Sequence, residues 1–270
     1  MVELFEQDLN DDGRRSSKGN QLKWKHDQLW YKADYLGYEG LSEYIISKLL
    51  RKSSLNNNEY VDYETEAIRY KTQVFNGCCS RDFSDDYQTI TLERLFKTLY
   101  GISLGKEIYS ISDHAERLKF IVDQVERATG IKDFGIYMSR LLTIDALFLN
   151  EDRHSHNISV LWDGDSRFKL CPIYDNGAGL LSDTTLDYPI GCDIYREAKH
   201  IKGKTFCESL DEQLDIAETL YGQNIKFTWQ MNDVDAFLQD ANLYSIEIRD
   251  RVRLLLAEQK RKYAYLFMNQ

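Results

Sequence analysis

Residues 141–177 carry the stretch of the chain that decides the fold, LLTIDALFLNEDRHSHNISVLWDGDSRFKLCPIYDNG. Residues 136–149 are apolar almost all round, which predicts a buried helix rather than one that faces water. A polar cluster follows, and then two short apolar runs, at residues 158–162 and 168–174, joined by an Asp-Gly pair that suits a hairpin turn. We therefore predict a buried helix, a polar loop and a hairpin that delivers an Asp-Asn-Gly sequence starting at Asp175.

This order of elements is expected to bring three oxygen-bearing side chains together, those of Asp152, Asn157 and Asp175. Phosphoryl transfer needs a carboxylate beside the attacking hydroxyl and oxygen ligands for Mg²⁺ on the ATP phosphates. An Asp-x₄-Asn loop followed by a later Asp supplies that set, because Mg²⁺ prefers carboxylate and amide oxygens. Each residue alone is a common turn former, so it is the combination that predicts phosphoryl transfer with ATP and Mg²⁺.

The two motifs resemble the catalytic loop and the metal-binding motif of protein-kinase-like folds. The Asp-Arg-His form of the loop resembles phosphoinositide 3/4-kinase-type enzymes. The Pro-Ile-Tyr that precedes Asp175 resembles bacterial HipA-like serine/threonine protein kinases, which fit best. The resemblance implies that Asp152 is the catalytic base and that Asn157 and Asp175 hold Mg²⁺. It also implies that His154 holds the loop or touches the γ-phosphate.

The same resemblance implies an α+β, two-lobed protein-kinase-like fold. Residues 1–85 would form a small β-rich N-lobe, and residues 86–270 a larger, mostly helical C-lobe. The chain is shorter than full HipA proteins and resembles compact relatives whose extra N-terminal subdomain is a separate small protein. The implied activity is transfer of the γ-phosphate of ATP to a serine or threonine of a protein substrate. A toxin–antitoxin role with a small inhibitory partner is a further expectation.

A small, polar, basic stretch at residues 13–20 precedes the first alternating apolar residues. By composition it is a flexible hairpin, whereas by resemblance Ser16, Ser17, Lys18 and Gly19 occupy the place of the glycine-rich loop that covers the ATP phosphates. HipA-like kinases often autophosphorylate a serine of this loop, so Ser16 and Ser17 are candidates. A phosphate there would oppose the phosphates of ATP, and self-inhibition is the expected result.

The apolar strand predicted at residues 29–33 contains Lys32. A cation in such a strand needs an anionic partner, and both ATP phosphates and a carboxylate would serve. An amphipathic helix follows, with Glu43 near its start. Lys32 and Glu43 resemble the strand lysine and helix glutamate of kinases, with Lys25 and Glu39 as the rival residues.

Residues 61–74 alternate in the manner of one or two further strands and end at small residues that include Asn76 and Gly77. In a kinase the lobes join where backbone groups meet adenine, so Asn76 and Gly77 are candidate cofactor-binding residues. A strand followed by an ordinary loop explains the same residues equally well. The lobe boundary is expected within residues 76–92.

Most of the chain beyond that boundary shows helical spacing, with a stop at Gly130 and a long final helix over residues 246–267. The final helix carries a basic face that includes Arg249, Arg251 and Arg253. We interpret this face as solvated rather than as a surface for nucleic acid or membrane.

Composition favours an ordered protein without broad affinity for nucleic acid. Hydrophobic residues make up 43% of the chain, which argues against disorder, and a net charge of −10 disfavours binding to phosphate backbones. No apolar run is long enough for a membrane span and no signal-peptide core is present, so we expect a cytoplasmic protein with no membrane contact. The 5 cysteines lack paired spacing and predict reduced thiols rather than a disulfide framework or a zinc site.

Three alternatives share these residues. A lipid or small-molecule kinase would differ only in its acceptor. A metal-dependent hydrolase would hold Zn²⁺ or Fe²⁺ with His154 and His156, completed by Asp152 and Asp175. No other histidine, His114 included, sits in a metal-like cluster of the sequence. A catalytically silent binding module would show no ATP turnover.

Overall fold

The computed structural model describes residues 1–10 and 21–268. Two compact units divide the chain. The first unit consists of Met1–Phe83, Tyr174–His200 and Lys226–Gln270, and the second of Ser84–Ile173 and Ile201–Ile225. The lobe division expected at residue 85 stays a prediction, because the first unit also takes in two later segments of the chain.

The chain has an α+β arrangement, in which most strands come early and most helices come later. The strands are β1 (Val2–Leu4), β2 (Lys23–His26), β3 (Leu29–Ala33), β4 (Tyr63–Tyr70), β5 (Gln73–Arg81), β6 (Gln88–Thr91), β7 (Ser159–Trp162) and β8 (Phe168–Leu170). The α-helices are α1 (Glu39–Leu50), α2 (Leu92–Tyr100), α3 (Leu104–Ser110), α4 (His114–Thr129), α5 (Phe134–Phe148), α6 (Ile194–Glu197), α7 (Leu210–Tyr221), α8 (Met231–Asp240) and α9 (Ile246–Lys262).

A five-stranded sheet in the order β1-β4-β5-β3-β2 forms the first part of the first unit. Strand β1 runs parallel to β4, and the other neighbours are antiparallel. The β2–β3 turn consists of Asp27 and Gln28, which both have positive φ, as a two-residue type I′ hairpin requires. One face of the sheet packs around Trp24 and Ile68, and helix α1 packs against β4 and β5.

Strand β5 continues through the small residues at which the sequence predicted a strand end. Gly77 lies in the middle of β5 and pairs with Ala33 on one side and Glu66 on the other. A Cβ atom at Gly77 would lie 2.1 Å from the Lys32 carbonyl oxygen, and one at Gly40 of α1 would lie 2.6 Å from the carbonyl carbon of Gly77. The small residues therefore allow close packing of helix on strand rather than ending the strand.

The last helix is shorter than predicted, and its basic face is only partly solvated. Helix α9 ends at Lys262, and a 3₁₀ turn (Ala264–Leu266) follows. Arg251 is only 5% exposed. Its guanidinium donates to the carbonyl oxygens of Tyr188 (3.0 Å) and Pro189 (3.1 Å) and to the Tyr38 hydroxyl (3.1 Å). The interpretation of Arg251 as part of a solvated face is therefore wrong, because a segment distant in sequence covers it.

Replacing Arg251 with Met is expected to lower the free energy of unfolding by about 3 kcal/mol, because the carbonyl groups that it binds would be left without a donor. Chemical denaturation measured by circular dichroism checks this value. Arg253 on the same helix makes an exposed ion pair with Asp235, so Arg253→Met is the matched control and should change stability little. Equal losses in the two variants would contradict the assigned role of Arg251.

The second unit is built around α5, which packs against α4 and α7. Gly135 lets α7 approach, since a Cβ atom there would lie 2.4 Å from the Tyr221 ring. Helix α4 stops at Gly130, as predicted, with a positive φ of 74°. Strands β6, β7 and β8 form an antiparallel sheet in that order. Strand β8 ends at Leu170, four residues before the predicted end, because Pro172 cannot donate to a ladder.

Among the residues that the structure describes, no helix combines the length and the apolar character needed to cross a membrane.

Candidate active site

Lys32 in the first unit holds its ammonium group between two carboxylates. Its Nζ lies 2.6 Å from Glu43 Oε1 and 2.8 Å from Asp175 Oδ1. The side chain of Lys32 is 12% exposed and that of Glu43 only 2%. Burial lowers the pKa of Lys32, but the charges of Asp175 and Glu43 outweigh it and hold the pKa well above its ordinary value. The lysine therefore remains charged inside the protein.

The alternation of β3 explains this position. Tyr31 and Ala33 face the core around Trp24, and successive side chains of a strand point to opposite faces. Lys32 therefore points to the other face, where its ammonium lies 5.3 Å from the centroid of the Tyr63 ring. The strand can carry a charged residue at this position because Tyr31 and Ala33, and not Lys32, face that apolar core.

Asp175 lies in a short segment that α1 holds by its backbone. The N–H of Asn176 donates to Glu43 Oε2 (2.8 Å), and the Ser42 hydroxyl donates to the Asn176 carbonyl oxygen (3.0 Å). Asp175 itself has a φ of 62°, in the left-handed region that few residues with a side chain adopt and in which Asp and Asn are enriched. Sparsely populated backbone conformations cluster at functional sites. Glu43 thus fixes both the ammonium of Lys32 and the backbone beside Asp175.

The rival residues have other partners. Lys25 pairs with Asp82 at 2.6 Å. Glu39, the first residue of α1, accepts backbone N–H bonds from Leu36 (2.7 Å) and Gly37 (3.1 Å). The structure therefore pairs the strand lysine with the glutamate one turn further along the helix.

Asp152 in the second unit lies in a loop that is closed by its own polar groups. Its Oδ1 accepts a hydrogen bond from Lys204 Nζ at 2.8 Å. The side-chain amide of Asn157 donates to the Asp152 carbonyl oxygen at 2.9 Å, and the N–H of Asn157 donates to the His154 carbonyl oxygen at 2.8 Å. The loop therefore has one defined conformation around the Asp152 carboxylate.

A buried ion pair attaches this loop to α5. Arg153 Nε lies 3.0 Å from Asp145 Oδ2, and both side chains are buried. Arg153 Nη1 also donates to the Asn157 carbonyl oxygen (3.2 Å), and Asn150 donates to Asp145 Oδ1 (2.8 Å). The buried helix that the sequence predicted thus orients the loop through Asp145.

Comparison with solved structures identifies the fold. The chain matches the crystal structure of a Helicobacter pylori proinflammatory kinase, CtkA, with a TM-score of 0.64 and 16% sequence identity, over 97% of this chain and 95% of that one. This chain has a kinase fold. The α+β kinase-like fold class and the resemblance inferred from the sequence are confirmed at the level of the fold.

Comparisons of the sequence with family models and with curated proteins assign the chain to no family. No protein-family model matches the chain, and a search of curated sequences found no relative. A second solved structure contains Shewanella oneidensis HipA with HipB and its operator DNA. The match has 12% identity and a TM-score of 0.48 and covers 94% of this chain but only 62% of that one, and we draw nothing further from it.

His154 lies beside Asp152 but does not form an ion pair with it at neutral pH. Burial lowers the pKa of His154, and the positive charges of His156 and Lys204 lower it further, against the attraction of Asp152. The 3.9 Å separation of His154 Nε2 from Asp152 Oδ1 therefore joins a neutral imidazole to a carboxylate. In this kinase fold His154 is placed beside Asp152 as a neutral neighbour.

The hydrolase alternative requires a metal site at the histidine pair. The rings of His154 and His156 lie 5.6 Å apart, edge to face. Within residues 1–10 and 21–268, one group of three or more His, Cys, Asp or Glu side chains is close enough to hold a metal ion, that of His114, Cys207 and Glu212. The histidine pair is thus not part of such a set. His114 lies in no metal-like cluster of the sequence, but the structure brings it to Cys207 and Glu212, which are distant in sequence.

Sequence reasoning missed Lys204. It lies in a loop closed by a β-bridge between Lys202 and Ser209. The hydroxyl of the next residue, Thr205, donates to the Arg153 carbonyl oxygen at 2.8 Å, which holds this loop against the Asp152 loop. The only signal in the sequence is a lysine on each side of Gly203. No spacing rule connects that signal to Asp152.

The other residues predicted to bind the cofactor are Asn76 and Gly77 and the stretch from Ser16 to Gly19. Asn76 and Gly77 lie within β5, and the Asn76 side chain donates to the Leu243 carbonyl oxygen at 3.0 Å. Their contact with a nucleotide stays a prediction. Four further residues lie outside the described residues: Ser16, Ser17, Lys18 and Gly19.

Asp34, directly after β3, is a buried carboxyl group with an unusual pKa. Its Oδ1 accepts from the N–H of Gly40 (2.6 Å) and its Oδ2 from the Tyr244 hydroxyl (2.9 Å). Burial raises the pKa of Asp34 from 3.8 to about 7, and the charge of Glu39 acts in the same direction. The folded protein therefore binds a proton that the unfolded chain releases at lower pH.

This proton should make the wild type lose stability as pH rises. The pKa is raised in the folded state, so its contribution to the free energy of unfolding is complete below about 3.8 and is lost as pH rises through about 7. Asp34→Asn should remove this slope, whereas the exposed Asp165→Asn should keep it. Urea unfolding at pH 5 and pH 8 measures the difference, and identical slopes in wild type and Asp34→Asn would contradict it.

Proposed function

We propose that this chain is an ATP-dependent serine/threonine protein kinase that requires Mg²⁺. The observation that carries the proposal is the Lys32 ammonium held by Glu43 and Asp175 in a chain with a kinase fold. A buried ion pair is weak evidence for a stabilising role, because well-packed apolar residues in its place often give equal or greater stability. Perturbed charged groups of this kind cluster at functional sites.

Lys32 is the proposed ligand of the ATP phosphates. Its raised pKa keeps the ammonium charged at any physiological pH. Glu43 orients the ammonium and, through the N–H of Asn176, also the backbone next to Asp175. The role of Glu43 is therefore positioning, and the charge of Lys32 is what binds phosphate oxygens.

Asp175 and Asn157 are the proposed ligands of Mg²⁺, because this hard cation takes oxygen ligands and each of these side chains offers one. Asp175 supplies a carboxylate. The amide nitrogen of Asn157 donates to the Asp152 carbonyl oxygen, so its amide oxygen is the atom available to coordinate. When bound, Mg²⁺ supplies positive charge that neutralises the phosphates during transfer.

Asp152 is the proposed base. Its carboxylate accepts the proton of the acceptor hydroxyl while that oxygen bonds to the γ-phosphorus, and the bond to the leaving ADP oxygen breaks. Lys204 holds Oδ1 of this carboxylate at 2.8 Å, which fixes its orientation. Lys204 also adds a positive charge where the transferred group becomes more negative.

The proposal includes autophosphorylation of Ser16 or Ser17 and control by a small inhibitory, antitoxin-like partner. Both rest on the resemblance of the sequence to HipA-like kinases. A phosphate on either serine would add about −1.5 to −2 charges to the stretch that, by this resemblance, corresponds to the glycine-rich loop. It would therefore inhibit ATP binding.

The acceptor class is tested with γ-labelled ATP and Mg²⁺. Three acceptors are offered in parallel: the chain itself with mixed Ser/Thr peptides, vesicles containing phosphoinositides, and a set of small polyols. Label on serine or threonine supports the proposal, and phosphosite mapping shows whether Ser16 or Ser17 receives it. Label in lipid or polyol alone would assign the chain to the lipid or small-molecule kinases, and no consumption of ATP would contradict phosphoryl transfer altogether.

A further inference from the structure

Three side chains with metal-ligating atoms meet in the second unit, apart from the residues assigned to phosphoryl transfer. His114 is the first residue of α4, Glu212 lies in the first turn of α7, and Cys207 lies just before α7. Their ligand atoms all lie within 4.8 Å of one another. Two helix starts and the connecting loop therefore place an imidazole, a thiol and a carboxylate at one point.

Hydrogen bonds of these groups hold the cluster in place. His114 Nδ1 lies 2.7 Å from Glu212 Oε1. The Cys207 thiol donates a hydrogen bond to the Ser209 carbonyl oxygen at 3.6 Å, and burial together with the charge of Glu212 raises the pKa of Cys207 to about 11. The imidazole and the carboxylate thus already contact each other, and the thiol sulfur lies within 4.8 Å of both ligand atoms.

We propose that His114, Cys207 and Glu212 bind one Zn²⁺ ion. Zinc accepts nitrogen, sulfur and oxygen ligands together, whereas Mg²⁺ and Ca²⁺ select oxygen alone. The ligand atoms of a tetrahedral zinc site lie about 3.3 to 3.8 Å apart, so side-chain adjustments of about 1 Å suffice. Binding releases the thiol proton to solvent, and the imidazole binds through Nδ1 in the tautomer that carries its proton on Nε2.

The three side chains differ in their exposure to solvent, as the entry of an ion from the surface requires. Cys207 is 2% exposed, whereas the side chains of His114 and Glu212 are 36% and 46% exposed. An ion can therefore enter from the surface and reach a thiolate that is shielded beneath. Three protein ligands leave the fourth position of a tetrahedral site to water.

The zinc ion would fix the loop that carries Lys204. Residues 202–209 form this loop, which is closed by the bridge between Lys202 and Ser209 and by the hydrogen bond from the Gly203 N–H to the Glu208 carbonyl oxygen (2.7 Å). Arg117 of α4 already donates to the Phe206 carbonyl oxygen in this loop (2.8 Å). A metal ion between α4 and Cys207 adds a second connection at the same point.

Zinc binding is measured directly and does not depend on phosphoryl transfer. The intact chain, freed of metal by chelation and dialysis, is titrated with Zn²⁺ alone, and bound zinc is counted by elemental analysis. We expect one Zn²⁺ per chain. His114→Asn, Cys207→Ser and Glu212→Gln should each weaken binding by at least about 100-fold, since loss of a supporting group alone costs 10–100-fold.

Matched controls lie elsewhere in the described chain. His200→Asn, Cys79→Ser and Glu208→Gln make the same chemical changes outside the cluster and should leave zinc affinity unchanged. Glu212 is exposed, so Glu212→Gln should fold even where Cys207→Ser does not. Less than half an equivalent of zinc in the wild type, or binding that survives Glu212→Gln, would overturn the site.

Hydrogen exchange tests the effect on the loop. Adding Zn²⁺ should slow amide exchange in residues 202–209 at least about tenfold in the wild type and leave it unchanged in Glu212→Gln. Zinc that binds without slowing this exchange would overturn the role in fixing the loop.

Discussion

Replacing Lys32 with Met is expected to lower the rate of ATP-dependent phosphoryl transfer by at least about 10²-fold, the effect of removing one charge-stabilising donor from an active site. The ammonium lies 2.6 Å from Glu43 and 2.8 Å from Asp175. Without it, the α/β-phosphates of ATP lose their cation and the two carboxylates repel both each other and the nucleotide. Initial rates of ADP formation at saturating Mg²⁺ measure the loss.

Two further variants separate catalysis from folding. Lys32→Met leaves two carboxylates without their cation, one of them on the buried Glu43, and should lower the free energy of unfolding by about 3–5 kcal/mol. Lys32→Arg keeps the charge and most of that stability, but it presents a planar guanidinium in place of a compact ammonium. Its rate of phosphoryl transfer should therefore be at least about tenfold below that of the wild type. Lys25→Met, on the neighbouring strand, should retain full activity. Wild-type rates in Lys32→Arg would show that the lysine is structural.

Asp152→Asn is expected to lower kcat by about 10²–10⁴-fold, which is the usual contribution of a general base. The amide can still accept the hydrogen bond from Lys204 but cannot take the proton of the acceptor hydroxyl. The KM for ATP should change less than about threefold, because the proposed role of Asp152 concerns the acceptor. Steady-state kinetics with a Ser/Thr peptide measure both quantities.

Asp165→Asn is the control for this substitution, since Asp165 is exposed in the loop that joins β7 to β8. It should leave kcat unchanged. If Asp152→Asn retained more than half of the wild-type kcat, Asp152 would not be the base, and the carboxylate held by Lys204 would have only a structural role.

The local pattern of apolar residues was sufficient to predict β3 and α5, the strand that carries Lys32 and the helix that precedes the Asp152 loop. Strand β3 begins and ends at the predicted residues, Leu29 and Ala33, because alternation over five positions is set by the core on one face. Helix α5 is buried almost all round, as its continuous apolar composition indicated. The need of Lys32 for an anionic partner also followed from a local argument, since a cation within an apolar strand requires an anion nearby, whereas the choice of Glu43 over Glu39 came from the resemblance to kinases.

Long-range contacts account for what the sequence did not reveal. Lys204 meets Asp152, and Cys207 meets His114, only because the loop of residues 202–209 folds back within the second unit. Arg251 is buried because a distant backbone segment covers it. Single polar residues carry no periodicity, so no pattern in the chain could have assigned these partners.

The central claim, that Asp175 and Lys32 serve ATP-dependent phosphoryl transfer, is tested most directly by Mg²⁺-dependent ADP formation in the wild type and in Asp175→Asn. Asparagine tolerates the positive φ of this position and removes only the charge. We predict that the wild type converts ATP in the presence of Mg²⁺ and that Asp175→Asn is slower by at least about 10²-fold. Equal rates in the two proteins, or no conversion by the wild type with any acceptor, would contradict this account.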